Sequence, residues 1–184
     1  MKQVFAAALI VGMTALSAQA DEISDALESA LTAYNEGDVQ YAIEELDFAK
    51  QLLLAKKTGA LSDVLPAAPD GWTRTINTDM NAGLPMMGGG VGTEAEYSDG
   101  TQSFTVSIMA DNPMVAAMGG MVANAALMGA KIERVGRQKF MNQDGELSAL
   151  VDNRILVQAS GADVPVMLDL LGTMDFRALS KFGQ

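Results

Sequence analysis

From Asp21 to about Lys57 the apolar residues keep helical time. Ile23, Ala26, Leu27, Ala30, Leu31 and Tyr34 fall at i, i+3, i+4, i+7, i+8 and i+11, and Ala42, Ile43, Leu46, Ala49 and Leu53 continue a second stripe. Gly37 stops the first helix, because a residue without a Cβ takes the left-handed C′ conformation at little cost. Asp38 caps the second, and Thr58-Gly59 is expected to close it. After Leu65-Pro66-Ala67-Ala68-Pro69-Asp70-Gly71-Trp72 the period changes. Trp72 to Thr78 reads as a strand and Asp79 to Val91 as a flexible loop. Glu94 to Tyr97 and Phe104 to Met109 form a hairpin about Asp99-Gly100, with Phe104, Val106 and Ile108 alternating onto one buried face.

Pro113 to Met128 reads as a helix begun by Asp111 or Asn112, with Pro113 in its first turn. Ile132 to Met141, Leu147 to Val151 and Ile155 to Ala159 read as three further strands, with turns at Asp144-Gly145 and Asp152-Asn153. A helical stretch from Val164 to Lys181, interrupted near Gly172 to Asp175, ends the chain. The predicted class is α+β: an N-terminal antiparallel helical hairpin (21–65) packed on a mainly antiparallel sheet (66–184) covered by two helices.

Ala30, Tyr34, Gly37-Asp38, Ala42-Ile43-Glu44 and Ala49 together resemble one tetratricopeptide-type hairpin, in which small residues let two helices approach and Gly-Asp makes the turn. Leu54 stands where that family has its closing proline, and no second copy follows, so the peptide-binding superhelix of such arrays is not implied. The element order of the remainder is similar to that of small PsbP/Mog1-type α+β domains.

The first residues carry an address. Lys2 is a positive n-region, Val4 to Leu16 is a short apolar run, and Ala18-Gln19-Ala20 is a small-x-small cleavage site. The expectation is a Sec signal peptide (1–20) cleaved after Ala20, a periplasmic destination, and no transmembrane segment afterwards, since a span needs about 20 apolar residues. Twelve Lys plus Arg against 23 Asp plus Glu give −11 over the whole chain, and −12 once Lys2 is lost. Such a surface disfavours nucleic acid, whose phosphates require cationic contacts. The sequence holds no His and no Cys, which removes Ser-His-Asp and Cys-His catalysis, thiolate or imidazole metal sites and disulfides. No cofactor is implied.

What chemistry remains centres on methionine. No charged residue occurs between Asp111 and Lys131, and Met114, Met118, Met121 and Met128 lie along one side of the predicted helix, opposite Ala116, Gly119, Gly120 and Ala123. Such a stripe either fills a core or offers a pliable surface to a protein partner or an apolar ligand, with Met86 and Met87 of the Gly-rich loop beside it. Three thioethers at i, i+4 and i+7 also suit Cu(I), through Met114, Met118 and Met121. The loop Met86 to Gly92 lacks the Gly-Lys-Ser/Thr ending of a phosphate loop. Glu94, Glu96 and Asp99 are expected to be solvated charges, and a carboxylate-dependent hydrolase would need two of them facing each other in a cleft. Lys131, Arg134, Arg137 and Lys139 form a small basic cluster. The favoured expectation is an exported, non-enzymatic binding or accessory protein that uses the Met/Ala/Gly helix as its contact surface.

Overall fold

The computed structural model describes residues 15–124 and 129–184. The chain divides into two compact units, Met1–Ala55 and Lys56–Gln184.

In the first unit, helix α1 (Ala15–Glu36) turns into helix α2 (Val39–Ser62). Gly37, at φ 86°, makes the turn, and the Asp38 carboxylate accepts the Tyr41 N–H at 3.1 Å to cap α2. Helix α2 does not close at Gly59 but continues to Ser62. The buried positions are Ile23, Ala26, Ala30, Ala33, Ala42 and Ala49, whereas Leu31 and Tyr34 are 61% and 66% exposed. The predicted stripe therefore splits. Its small residues face inward, because two closely approaching helices leave room for little beyond methyl groups, and its bulky residues other than Ile23 stand largely in solvent.

The second unit opens with the end of α2. It continues through strand β1 (Thr73–Asn77), two 3-10 turns (Asp79–Ala82 and Leu84–Met87), β2 (Val91–Ser98) and β3 (Ser103–Ala110) to helix α3 (Pro113–Ala123). Strands β4 (Lys131–Val135), β5 (Gln138–Gln143), β6 (Glu146–Val151) and β7 (Ile155–Ser160) follow, then helices α4 (Val164–Leu171) and α5 (Phe176–Ser180). The seven strands form one sheet in the order β1-β2-β3-β7-β6-β5-β4. Every neighbouring pair is antiparallel, so the α+β class is as expected.

Two expectations are corrected. Ile132 to Met141 is two strands, since Gly136 at φ 58° folds the segment into the β4–β5 hairpin. The segment Asp79 to Val91 is built rather than loose: both amide atoms of Asn81 hold Gly92, its Nδ2 donating to the Gly92 carbonyl at 2.7 Å and its Oδ1 accepting the Gly92 N–H at 2.8 Å.

Register places the core on one side of the sheet. Ala95 pairs with Val106, Val106 with Ala159, and Ala159 with Leu147; all are buried. The period of two along each strand keeps these side chains on a common face. On that face Ser62 at the end of α2 shares a 2.7 Å hydroxyl–hydroxyl hydrogen bond with Thr93, and Phe140 meets Phe176 of α5 edge-on at 5.9 Å. The other face receives α3: a Cβ at Gly119 would lie 3.7 Å from Leu150 Cδ1 and 3.2 Å from Asn153 Oδ1. Of the small-residue side of α3, Gly119 allows close approach of the β6–β7 region, whereas Ala116 and Gly120 are exposed; Val115 one turn before Gly119 is fully buried.

Candidate functional site

Of the predicted contact residues, Met86, Met87 and Met114 lie at the junction of the Gly-rich segment and α3. The Leu84–Met87 turn ends at Gly88 in the left-handed conformation. Asn112, itself buried, then acts as a clamp. Its Nδ2 donates to the carbonyls of Met87 and Gly89 at 3.2 and 2.5 Å, while its Oδ1 accepts the Met114 N–H at 2.8 Å. Asn112 is therefore the cap of α3, and one side chain fixes both the glycine segment and the helix start. Asp111 serves elsewhere: its carboxylate meets Lys57 and Arg154, each at 2.8 Å.

Around this clamp Met86 is 93% exposed, and Met87 and Met114 are each 45% exposed. Met118 is half-buried one turn further along α3. Met128 and the side chain of Met121 lie outside the described residues. Three of the six predicted residues thus stand in solvent around one rigid corner, and the helix is not enclosed, because Ala116, Ala117 and Gly120 are exposed too. Among the described residues no group of three or more acidic, His or Cys side chains is arranged to hold a metal. No helix among them is long and apolar enough to cross a membrane.

A second site carries almost no mark in the sequence pattern. An open cavity of about 730 Å³ lies between the Ala67–Pro69 segment, the β2–β3 hairpin and α4. Trp72 and Phe104 form its aromatic floor, meeting edge-on with centroids 5.4 Å apart, and Tyr97 stacks behind Phe104 at 5.3 Å. The Tyr97 hydroxyl donates to the Pro66 carbonyl at 2.7 Å. Arg74 Nη1 donates to the carbonyls of Leu65 and Pro66, both at 2.9 Å, so the proline segment is pinned as a wall. Val166, Leu170 and Thr173 of the α4 region form the opposite wall, with Asp99, Gln102 and Asp169 among the polar lining. The signal available in sequence is the single tryptophan directly after a proline-rich boundary.

Asp99 is not merely solvated. Its Oδ1 accepts the N–H groups of Gln102 and Thr101 at 2.9 and 2.8 Å and the Thr101 hydroxyl. These donors, Gln102 first, hold its carboxyl well below the usual carboxylate range. Burial pushes Tyr97 the other way, up to about 12, against a smaller opposing effect of Arg74. A phenol raised on folding contributes stability that is complete below its ordinary value near pH 10 and is lost as pH climbs through 12. Melting curves taken from pH 9 to 11.5 should therefore fall more steeply for the wild type than for Tyr97→Phe. The phenylalanine variant should begin about 1 kcal/mol less stable at pH 7, from the lost bond to Pro66.

A second groove, about 530 Å³, is lined by Val122, Ile132, Arg134, Arg137, Lys139 and Met141 among others, and gathers most of the predicted basic cluster. No family model, no curated protein and no solved structure matches the chain.

Proposed function

We propose that this protein is an exported, periplasmic, non-enzymatic binding or accessory protein that contacts a protein partner through the methionine corner formed by Met86, Met87 and Met114. The observation that carries the reading is the combination of exposure and fixity. Three large thioether side chains stand in solvent on a backbone that Asn112 holds from both sides. Core filler would be buried; a pliable recognition surface presents adaptable side chains on a stable base. The absence of His and Cys supports the non-enzymatic reading. So does Asp99, whose depressed pKa suits a permanent negative charge rather than a proton donor.

Mild peroxide footprinting tests the contact surface. In the isolated protein Met86 is expected to oxidise fastest, with Met87 and Met114 following at similar rates, as their equal exposure implies. In protein oxidised inside intact cells before recovery, all three should be protected at least fivefold, with the half-buried Met109 of β3 as internal reference. A Met86→Glu/Met114→Glu variant should lose that protection at Met87. It should keep the wild-type melting temperature to within a few degrees, since exposed positions tolerate polar side chains. Equal relative oxidation in cells and in the isolated protein would refute the reading. Intact native mass of the recovered protein tests the rest: a mature chain beginning at Asp21 is expected with a bound polypeptide, and a retained copper ion would instead favour Cu(I) carriage by Met114, Met118 and Met121.

A further inference from the structure

We propose that the Trp72 cavity is a binding site for a small amphiphilic organic cation, a molecule with an aromatic or alkyl body and an ammonium group. This site is separate from the methionine corner and does not depend on it. Its volume of about 730 Å³ falls within the range of small-molecule sites. Its floor and walls are largely apolar, from Trp72, Phe104, Val166 and Leu170, so a ligand body gains from leaving water there.

Charge selects the rest of the ligand. Two carboxylates, Asp99 and Asp169, line the cavity, and none of its lining residues is basic. They come from two separate elements, the β2–β3 turn and α4, so a cation in the cavity is within a lining whose only charges are negative. Asp169 has no hydrogen bond or ion pair from its side chain among the described residues, which leaves it available to a ligand. The acceptor surface of Asp99 is fixed in place by the N–H groups of its own turn. Trp72 adds an indole ring to the lining, the best of the natural side chains for an ammonium group. An anion would meet two like charges with no counter-charge in the lining, and a neutral isostere would gain only the apolar contact.

The site is also preformed. Arg74 and Tyr97 hold the proline wall, and Thr173 Oγ1 bonds the Leu170 carbonyl at 2.7 Å where α4 ends. Little ordering is left to oppose binding.

Trp72 is the single tryptophan of the chain, so its fluorescence reports on this cavity alone. Titrating the full-length mature protein with benzyltrimethylammonium should give a saturable change at sub-millimolar concentration. Benzyl alcohol and phenylacetate, which share the ring but carry no charge or the opposite one, should bind at least tenfold more weakly. Raising the salt concentration should weaken only the cation. Asp169→Asn should weaken the cation about fivefold with an unchanged melting temperature, and Asp99→Asn/Asp169→Asn more than tenfold. Saturation-transfer NMR on the same three probes gives a readout independent of Trp72. Equal binding of all three, cation binding undiminished in the double variant, or no saturation by either method up to about 10 mM would overturn the assignment.

Discussion

Gly90→Ala is expected to lower the melting temperature of the second unit by on the order of 10 °C, corresponding to about 3 kcal/mol. Gly90 sits at φ 98°, a region that L residues rarely adopt. A Cβ there would also lie 2.7 Å from the Ala110 carbonyl oxygen and 3.0 Å from Asn112 Cβ. Neither neighbour can give way easily. Ala110 is paired in the centre of the sheet with Val91 and Ile155, and Asn112 is the clamp between the glycine segment and α3. Gly89 provides the control. It has a similar φ of 91° but nothing within 4 Å of the place a Cβ would occupy, so Gly89→Ala should cost only the backbone strain, about 1 kcal/mol. Circular-dichroism melts of the two variants separate strain from collision. Losses of equal size would show that the crowding around Gly90 has no energetic weight.

Removing the Asp111 carboxylate is expected to cost about 1–3 kcal/mol at pH 7, as a part-buried charge pair broken on one side. Asp111 accepts Lys57 Nζ on one oxygen and Arg154 Nη1 on the other, each at 2.8 Å. Arg154 in turn donates to the Phe182 carbonyl, and Lys57 lies 5.8 Å from the centre of the Phe182 ring. One carboxylate thus ties together the last turns of α2, the β3–α3 junction, the β6–β7 turn and the C-terminal residues. Burial raises its pKa, but the bonds from Lys57 and Arg154 outweigh that and the net displacement is downward. Its contribution is therefore present above the ordinary carboxylate range and disappears as pH falls through the depressed value. Urea denaturation of Asp111→Asn should show the full loss at pH 7 and a smaller difference from wild type at pH 3. Asparagine tolerates the φ of 56° at this position, so the variant isolates the charge. A difference independent of pH would assign the loss to shape instead.

Local features were the readable ones. The β2–β3 hairpin follows from an Asp-Gly turn and an uninterrupted alternation at Phe104, Val106 and Ile108, whose partners on β2 lie just across that turn. Helix α3 follows from Pro113, and the break between α4 and α5 from the Gly172-Asp175 stretch. The β4–β5 hairpin was hidden because its turn holds a single glycine, Gly136, inside a run that reads as one strand. The helical spacing in α1 gave the period, and Ile23, Ala26 and Ala30 turn inward as expected; it did not give the width of the buried face, since Leu27, Leu31 and Tyr34 are exposed. Which of Ala30 and Leu31 turns inward depends on how close the second helix comes, and that is a tertiary property. The methionine corner was half legible, since spacing marked the residues but only the Asn112 hydrogen bonds join Met86 and Met87 to Met114. The aromatic cavity was not legible as a cavity. Its walls come from residues 67–72, 99–104 and 166–173, and nothing in the sequence indicates that these segments meet.

The strand order carries a consequence for how the chain is made. β3 ends at Ala110 and its neighbour β7 begins at Ile155, so the middle of the sheet is sealed by the last of its strands to be synthesised. Until then β3 presents a bare row of amide and carbonyl groups beside Val106 and Ile108, the kind of unguarded edge that recruits foreign strands. Closing this seam spans a long stretch of chain and is entropically slow compared with forming either flanking hairpin. A nascent chain stalled before Ile155 would therefore be the most aggregation-prone species on the route to the native state.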